Sequence, residues 1–115
     1  MTAGAPHDTP TAAELVEAVR EFVEGELMAS LDGRLHFLCR VAANALSMVE
    51  RELVVGDDQA AAHRDRLADL GVDDDAELAA AIRRGDLDDR MDDVVAAVRA
   101  SVIDKLRVAN PRYLE

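Results

Sequence analysis

The segment Arg34–Val55 runs for 22 residues without proline or glycine, and it constrains the fold more than any other part of the chain. Its spacing predicts one helix of about six turns. One face collects eight apolar residues at about 100° per residue: Leu35, Leu38, Val41, Ala42, Ala45, Leu46, Val49 and Leu53. Phe37, Met48 and Val55 extend the apolar surface well round the helix, so only a narrow polar strip remains: Arg40, Asn44, Ser47 and Arg51.

The composition predicts a single all-α domain of 115 residues. Half of the residues are apolar, but there is no Trp, one Tyr and two Phe, so the core must be aliphatic and rich in alanine. Such a composition favours helices over strands. The one cysteine, Cys39, excludes an internal disulfide, and neither a signal peptide nor a bilayer-spanning apolar run is recognised. We therefore expect a cytoplasmic protein without membrane segments.

The net charge of −11 argues against nucleic-acid binding, which needs a basic surface. Residues 57–93 carry thirteen Asp or Glu against five Arg, a net of −8, which leaves −3 for the rest. Solubility alone explains such a stretch, although it could also dock a basic partner.

Helix start and stop signals divide the chain into five predicted helices. Residues 1–8 are expected to be a disordered tail, and residues 9–115 one domain. The first helix begins near residue 10, with Thr9 before Pro10 or with Thr11 and Glu14 as a capping box. The later boundaries are the turn Leu31-Asp32-Gly33, the stops Gly56, Gly71 and Gly85, and Asn110-Pro111. The predicted architecture is an antiparallel bundle of three long helices, with two short helices in the crossover between the second and third.

The sequence predicts no catalytic residue, no metal site and no cofactor. Glu14, Glu17, Glu21 and Glu24 have the spacing of magnesium-binding carboxylates, but they lie opposite the apolar face of the first helix. His36 and Cys39 are on adjacent turns and lack two further zinc ligands. Cys39 is therefore interpreted as a small apolar residue.

The polar strip of the central helix is the candidate site. Arg40, Asn44 and Arg51 could be hydrogen-bonded inside the bundle, simply solvated, in contact with a partner, or the floor of an anion site. Lys105 is the only lysine and is either a fourth contact or an ordinary surface residue. Because a three-helix bundle hides only one stripe per helix, we also expect a homodimer. Its predicted contact residues are Phe37, Met48 and Val55.

Three blocks of the sequence resemble a bacterial domain family of unknown function. They are TPTAAELVEAVREFVE (Thr9–Glu24), LDGRLHFLCRVAANALSMVEREL (Leu31–Leu53) and DKLRVANPRYLE (Asp104–Glu115). Members are encoded beside, or fused to, aminoglycoside-phosphotransferase-like kinases and acyl-CoA dehydrogenases. The positions that match the family pattern, none with a known catalytic role, are Arg40, Asn44, Glu50, Arg51, Lys105, Asn110, Pro111 and Tyr113.

Two functions from different classes are compatible with these observations. The resemblance implies a non-enzymatic accessory domain that associates with a kinase-like phosphotransferase or an acyl-CoA dehydrogenase. The alternative is a small acyl-CoA or phosphate-ligand-binding protein, or an enzyme, in which Arg40, Arg51 and Lys105 form an anion clamp.

Overall fold

A computed structural model describes residues 9–115, and every regular element in that range is helical. The all-α prediction is therefore confirmed for the described residues, whereas the bundle arrangement of the three long helices stays a prediction. The expected disordered tail, residues 1–8, lies outside the described residues. The elements are α1 (Ala12–Phe22), a π-helical segment (Val23–Leu27), α2 (Gly33–Asp69), α3 (Asp75–Arg84), a 3₁₀ turn (Asp88–Arg90), α4 (Met91–Ala109) and a second 3₁₀ turn (Pro111–Leu114).

The contacts divide the chain into two units, the boundary falling within α2. The N-terminal unit, whose described part is residues 9–54, contains α1, the π-helical segment and the first half of α2. The C-terminal unit, Val55–Glu115, contains the rest of α2, α3 and α4. The expectation of one domain over residues 9–115 stays a prediction.

The N-terminal unit is a helical hairpin that begins at a capping box. The Thr11 side chain accepts a hydrogen bond from the Glu14 amide at 3.1 Å, and the Glu14 carboxylate accepts one from the Thr11 amide at 3.0 Å. Of the two starts that the sequence allowed, the Thr11–Glu14 box is the one formed. These hydrogen bonds favour the charged carboxylate and lower the pKa of Glu14. Two apolar residues of α2 in this unit are buried, Cys39 and Ala43.

The predicted end of the second helix at Gly56 is wrong, because α2 continues through Gly56, Asp57 and Asp58 to Asp69. The first of the two predicted short helices is therefore the second half of α2. A glycine inside a helix costs only about 1 kcal/mol relative to alanine. A cost of this size does not prevent a helix from running through a glycine.

The core of the C-terminal unit forms where α2 ends. Gly71 has a φ of 79°, and the amides of Gly71 and Val72 donate back to Ala68 and Leu67, which is the Schellman arrangement. Gly71 is thus a helix stop, as predicted. Seven buried side chains from α2, α3, α4 and their connections pack together there: Leu67, Leu70, Val72, Leu78, Ala81, Leu87 and Val94.

The other predicted helix ends agree with the structure. Asp74 caps α3 by accepting from the Glu77 amide at 2.7 Å, and α3 ends at Gly85 with a φ of 81°. The last predicted helix starts as the 3₁₀ turn Asp88–Arg90 before it becomes α4. It ends at Asn110, the residue before Pro111, as expected.

Candidate functional site

The turn between α1 and α2 is fastened by His36. Its Nδ1 lies 2.9 Å from the carbonyl oxygen of Met28 and 3.2 Å from that of Leu31. Both oxygens can only accept, so Nδ1 carries the proton and donates to them. His36 thus satisfies carbonyl groups at the end of the first helical segment, which leaves this nitrogen unsuited to metal binding. The neighbouring Cys39 is a buried free thiol, as its interpretation as a small apolar residue requires.

An ion pair joins α1 to α2. Arg20 donates from Nε to Glu50 and from a terminal nitrogen to Glu24. The hydrogen bond to Glu50 raises the pKa of Arg20, and both side chains of this pair are mostly shielded from solvent. Glu50 is one of the positions that match the pattern of the resembled family. In the structure, its ion pair with Arg20 links the two helices of the hairpin.

The predicted strip Arg40, Asn44 and Arg51 lies along one side of α2, since positions four and seven apart recur on the same face. Arg40 and Asn44 are exposed and Arg51 is half-buried. Asn44 is thus not a polar group buried inside the chain. Arg40 and Arg51 are eleven residues apart, about 16 Å along the helix axis. One phosphate group cannot span that distance, so an anion shared by both arginines would have to be an extended molecule.

The remaining predicted contact residues fall in both units. Phe37 and Met48 flank the strip within the N-terminal unit, and 61% of Phe37 is exposed. Val55, half-buried, is the first residue of the C-terminal unit, and Lys105 is exposed on α4 in that same unit. The structure brings Phe37, Met48 and the strip onto one helix; the clamp of Arg40, Arg51 and Lys105, and the dimer contact through Phe37, Met48 and Val55, stay predictions.

A polar network that sequence reasoning missed lies in the C-terminal unit, around His63 of α2. Its Nδ1 is 2.9 Å from Ser101 Oγ of α4, and its Nε2 is 2.9 Å from Asp75 Oδ1 at the start of α3. The Asp75 carboxylate only accepts, so Nε2 carries the proton. In the neutral imidazole Nδ1 then accepts the hydroxyl proton of Ser101.

Arg66 extends the network along α4. Its Nε donates to Ser101 Oγ at 3.2 Å and a terminal nitrogen donates to Asp104 at 3.1 Å. Gln59 donates to the Asp104 carbonyl at 2.9 Å. Gln59, His63 and Arg66, on one side of α2, therefore bind α4. His63 also binds the start of α3 through Asp75.

Serine, histidine and aspartate in this hydrogen-bonding order also occur in serine hydrolases, but the surroundings here differ. Ser101 lies inside α4, where the neighbouring backbone amides are used within the helix. They are not at hand to stabilise an oxyanion, which acyl transfer requires. We interpret the network as a structural link between α2, α3 and α4. Its hydrogen bonds between α2 and α4 join residues 35 to 45 apart in sequence, so no local pattern could have indicated it.

The π-helical segment Val23–Leu27 is a second feature that the sequence did not indicate. Such segments insert an extra residue into a helical turn and are frequent at functional sites. Gly25 lies inside it, and a Cβ at this position would meet nothing within 4 Å. The extra residue rotates the side chains that follow it to a different side of the helix, just before the turn.

Large apolar side chains are exposed along the hairpin to an unusual degree. On α1 they are Leu15, Val19 and Phe22, and on α2 they are Leu35, Phe37, Leu38, Val41, Met48, Val49, Leu53 and Val54. Exposed apolar patches of this extent mark interaction surfaces. Within residues 9–115, no helix combines the length and the apolar character needed to cross a bilayer. In the same range no group of three or more His, Cys, Asp or Glu side chains could hold a metal ion.

Residues 9–115 are thus all-α, and the helical hairpin of the N-terminal unit exposes many apolar side chains. The family model described as "Domain of unknown function (DUF6285)" matches residues 29–113, and the chain belongs to this family. The family match thus covers the second block of the resemblance and residues 104–113 of the third. No curated protein matches the chain. No solved structure matches it.

Proposed function

We propose that this chain is a non-enzymatic accessory domain of the cytoplasm that binds a kinase-like phosphotransferase or an acyl-CoA dehydrogenase. The exposed apolar and arginine-bearing side of α2 supports the proposal most directly. Phe37 and Met48 lie exposed beside Arg40 and Asn44 on one regular helix. The kind of partner is taken from the family resemblance.

This side of α2 has the composition of a protein-binding surface. Aromatic residues, methionine and arginine are enriched at the centres of interfaces, where they supply most of the binding energy. Arg40 can form paired hydrogen bonds with a carboxylate of the partner. A rigid helix also presents these side chains with little loss of conformational entropy on binding.

Co-purification with matched charge variants tests the proposal. Tagged chain is recovered from its native host as wild type, as Arg40→Glu plus Arg51→Glu, and as the control Arg83→Glu plus Arg99→Glu. The control makes the same charge change on exposed arginines of α3 and α4. We expect one of the two enzymes with wild type and control, and its loss with the Arg40 and Arg51 variant. Recovery of neither enzyme with wild type would refute the proposal.

A second candidate function is binding of an extended anionic ligand, such as a CoA ester, along the same strip. The alignment of Arg40, Asn44 and Arg51 on one side of α2 favours it. A thermal-shift panel of CoA esters, nucleotides and phosphosugars tests it, because ligand at a hundred times its Kd adds about 2.7 kcal/mol of stability. The absence of any shift, or a shift that persists in Arg40→Ala, would exclude it.

A further inference from the structure

The two halves of α2 carry opposite charges in the same spacing. The first half has four polar residues that are four, three and four positions apart: Arg40, Asn44, Ser47 and Arg51. The second half repeats this spacing with three aspartates and one alanine: Asp58, Ala62, Asp65 and Asp69. We call the first set the basic stripe and the second set the acidic stripe.

Each stripe lies on one side of its half of the helix. At about 100° per residue, spacings of four, three and four keep all four positions within about 60° of arc. Arg40 and Asn44 of the basic stripe are exposed, and so are the three aspartates of the acidic stripe. Both stripes are therefore accessible to another molecule.

The exposed charges of the two stripes have no ionic partner within residues 9–115. The salt bridges formed in that range use none of these four side chains: Arg40, Asp58, Asp65 and Asp69. Arg40 and Asp69 are 29 residues apart in one helix, so they cannot pair with each other in the same chain. A pairing between the two stripes therefore requires two molecules.

We infer that the basic stripe binds the acidic stripe of a second copy, so that two α2 helices pair antiparallel about a two-fold axis. Because both stripes have the same spacing, reversing one helix sets Arg40 of each copy opposite Asp69 of the other. The same reversal sets Arg51 opposite Asp58. Each of these contacts occurs twice, since the two-fold axis repeats it.

The positions between these charges suit the same arrangement. Asn44 lies opposite Asp65, whose carboxylate can accept a hydrogen bond from the amide. Ser47 lies opposite Ala62, and such small side chains let two helices approach closely. Val54, which is 70% exposed, lies beside the axis and gains an apolar contact there.

Charge also selects the orientation and the register of the pair. A parallel pair would set each stripe against its own copy. In the antiparallel pair, a shift of seven residues in one direction sets Arg51 opposite its own copy, and a shift in the other direction does so for Asp58. Like charges in such positions oppose association, as they do in coiled coils. The two stripes are therefore complementary in one register.

Sedimentation equilibrium on the full chain tests the inference with a reciprocal exchange of charge. At about 50 μM, where a micromolar dimer is formed, we expect a mass of twice 12.4 kDa for the wild type. Arg40→Glu and Asp69→Arg each set like charges opposite one another and should each raise the dimer Kd about tenfold or more. The combined variant restores opposite charges and should return the Kd to within about threefold of the wild type.

The matched control is Arg40→Glu plus Glu52→Arg, which has the same net charge as the combined variant. Glu52 is exposed and lies about 120° from Arg40 around the same helix, outside both stripes. This control should dissociate as readily as Arg40→Glu alone. A combined variant that binds no more tightly than the control overturns the inference.

The remaining outcomes are equally decisive. A wild type that is monomeric at about 50 μM overturns the inference, and so does a dimer whose Kd neither single variant changes. If circular dichroism shows that a charge-reversal variant is unfolded, a double-mutant cycle with Arg40→Ala and Asp69→Ala decides, because coupled effects support the contact and additive effects overturn it. The inference does not rest on the proposed function, although both use Arg40. The test contains only the purified chain, so either idea can fail alone.

Discussion

Replacing Gly56 by alanine distinguishes the observed helix from the one that the sequence predicted, because the two give opposite signs. In the structure Gly56 lies inside α2, with helical residues on both sides. Alanine there removes the entropy cost of a mid-helix glycine and should stabilise the fold by about 0.5–1 kcal/mol. If Gly56 instead ended a helix in the left-handed region, alanine would be strained and would destabilise the fold by about 1 kcal/mol.

Gly71→Ala is the matched control. Its Cβ would meet nothing within 4 Å, so the positive φ of 79° is the reason for a loss, and we expect one of about 1 kcal/mol. Thermal unfolding followed by circular dichroism should show Gly56→Ala melting about 2–5 °C above the wild type and Gly71→Ala below it. A Gly56→Ala variant that melts below the wild type by as much as Gly71→Ala would refute the continuous helix.

Three further substitutions probe the charged and polar contacts. Glu50→Gln removes the charge that pairs with Arg20, and we expect a loss of about 1 kcal/mol in urea unfolding, with no loss if the pair contributes nothing. The hydrogen bond with Glu21 and the negative charge of Glu21 raise the pKa of Glu17. The protonated Glu17 carboxyl therefore stabilises the fold at low pH, and this stabilisation is lost as the pH rises through the raised pKa. Glu17→Gln should therefore melt above the wild type at pH 7 and lose that advantage below the normal carboxyl range, whereas an equal advantage at both pH values would contradict the assignment. Ser101→Ala removes a hydroxyl bonded to a histidine and an arginine and should cost about 1 kcal/mol; an unchanged Tm would show that the network does not fasten α4.

The parts of the fold that could be predicted depend on local interactions. The Thr11–Glu14 box, the stops at Gly71 and Gly85 and the end before Pro111 each depend on residues within one turn of the boundary. Gly56 followed by two aspartates has the same local pattern as a stop and a cap. The helix nevertheless runs through these residues, and a local pattern does not distinguish the two outcomes because a glycine costs only about 1 kcal/mol inside a helix.

Only part of the candidate site could be predicted from the sequence, because periodicity is a local property and contacts between helices are not. Helical periodicity placed Arg40, Asn44 and Arg51 together, and the structure keeps them on one side of α2. Periodicity also predicted a broad apolar surface but could not say which part of it meets α1. In the structure the small residues Cys39 and Ala43 are buried, and the leucines beside them are exposed. Small residues allow helices to approach closely, which is a property of the pair of helices.

Sedimentation velocity of purified components tests the proposed accessory function most directly. The chain is mixed in turn with a kinase-like phosphotransferase and with an acyl-CoA dehydrogenase, and the activity of each enzyme is followed in parallel. We predict that one enzyme forms a faster-sedimenting complex with a Kd of about 10 μM or less, and that Arg40→Glu plus Arg51→Glu abolishes it. Independent sedimentation of the chain from both enzymes at about 100 μM, with neither activity changed, would contradict the account.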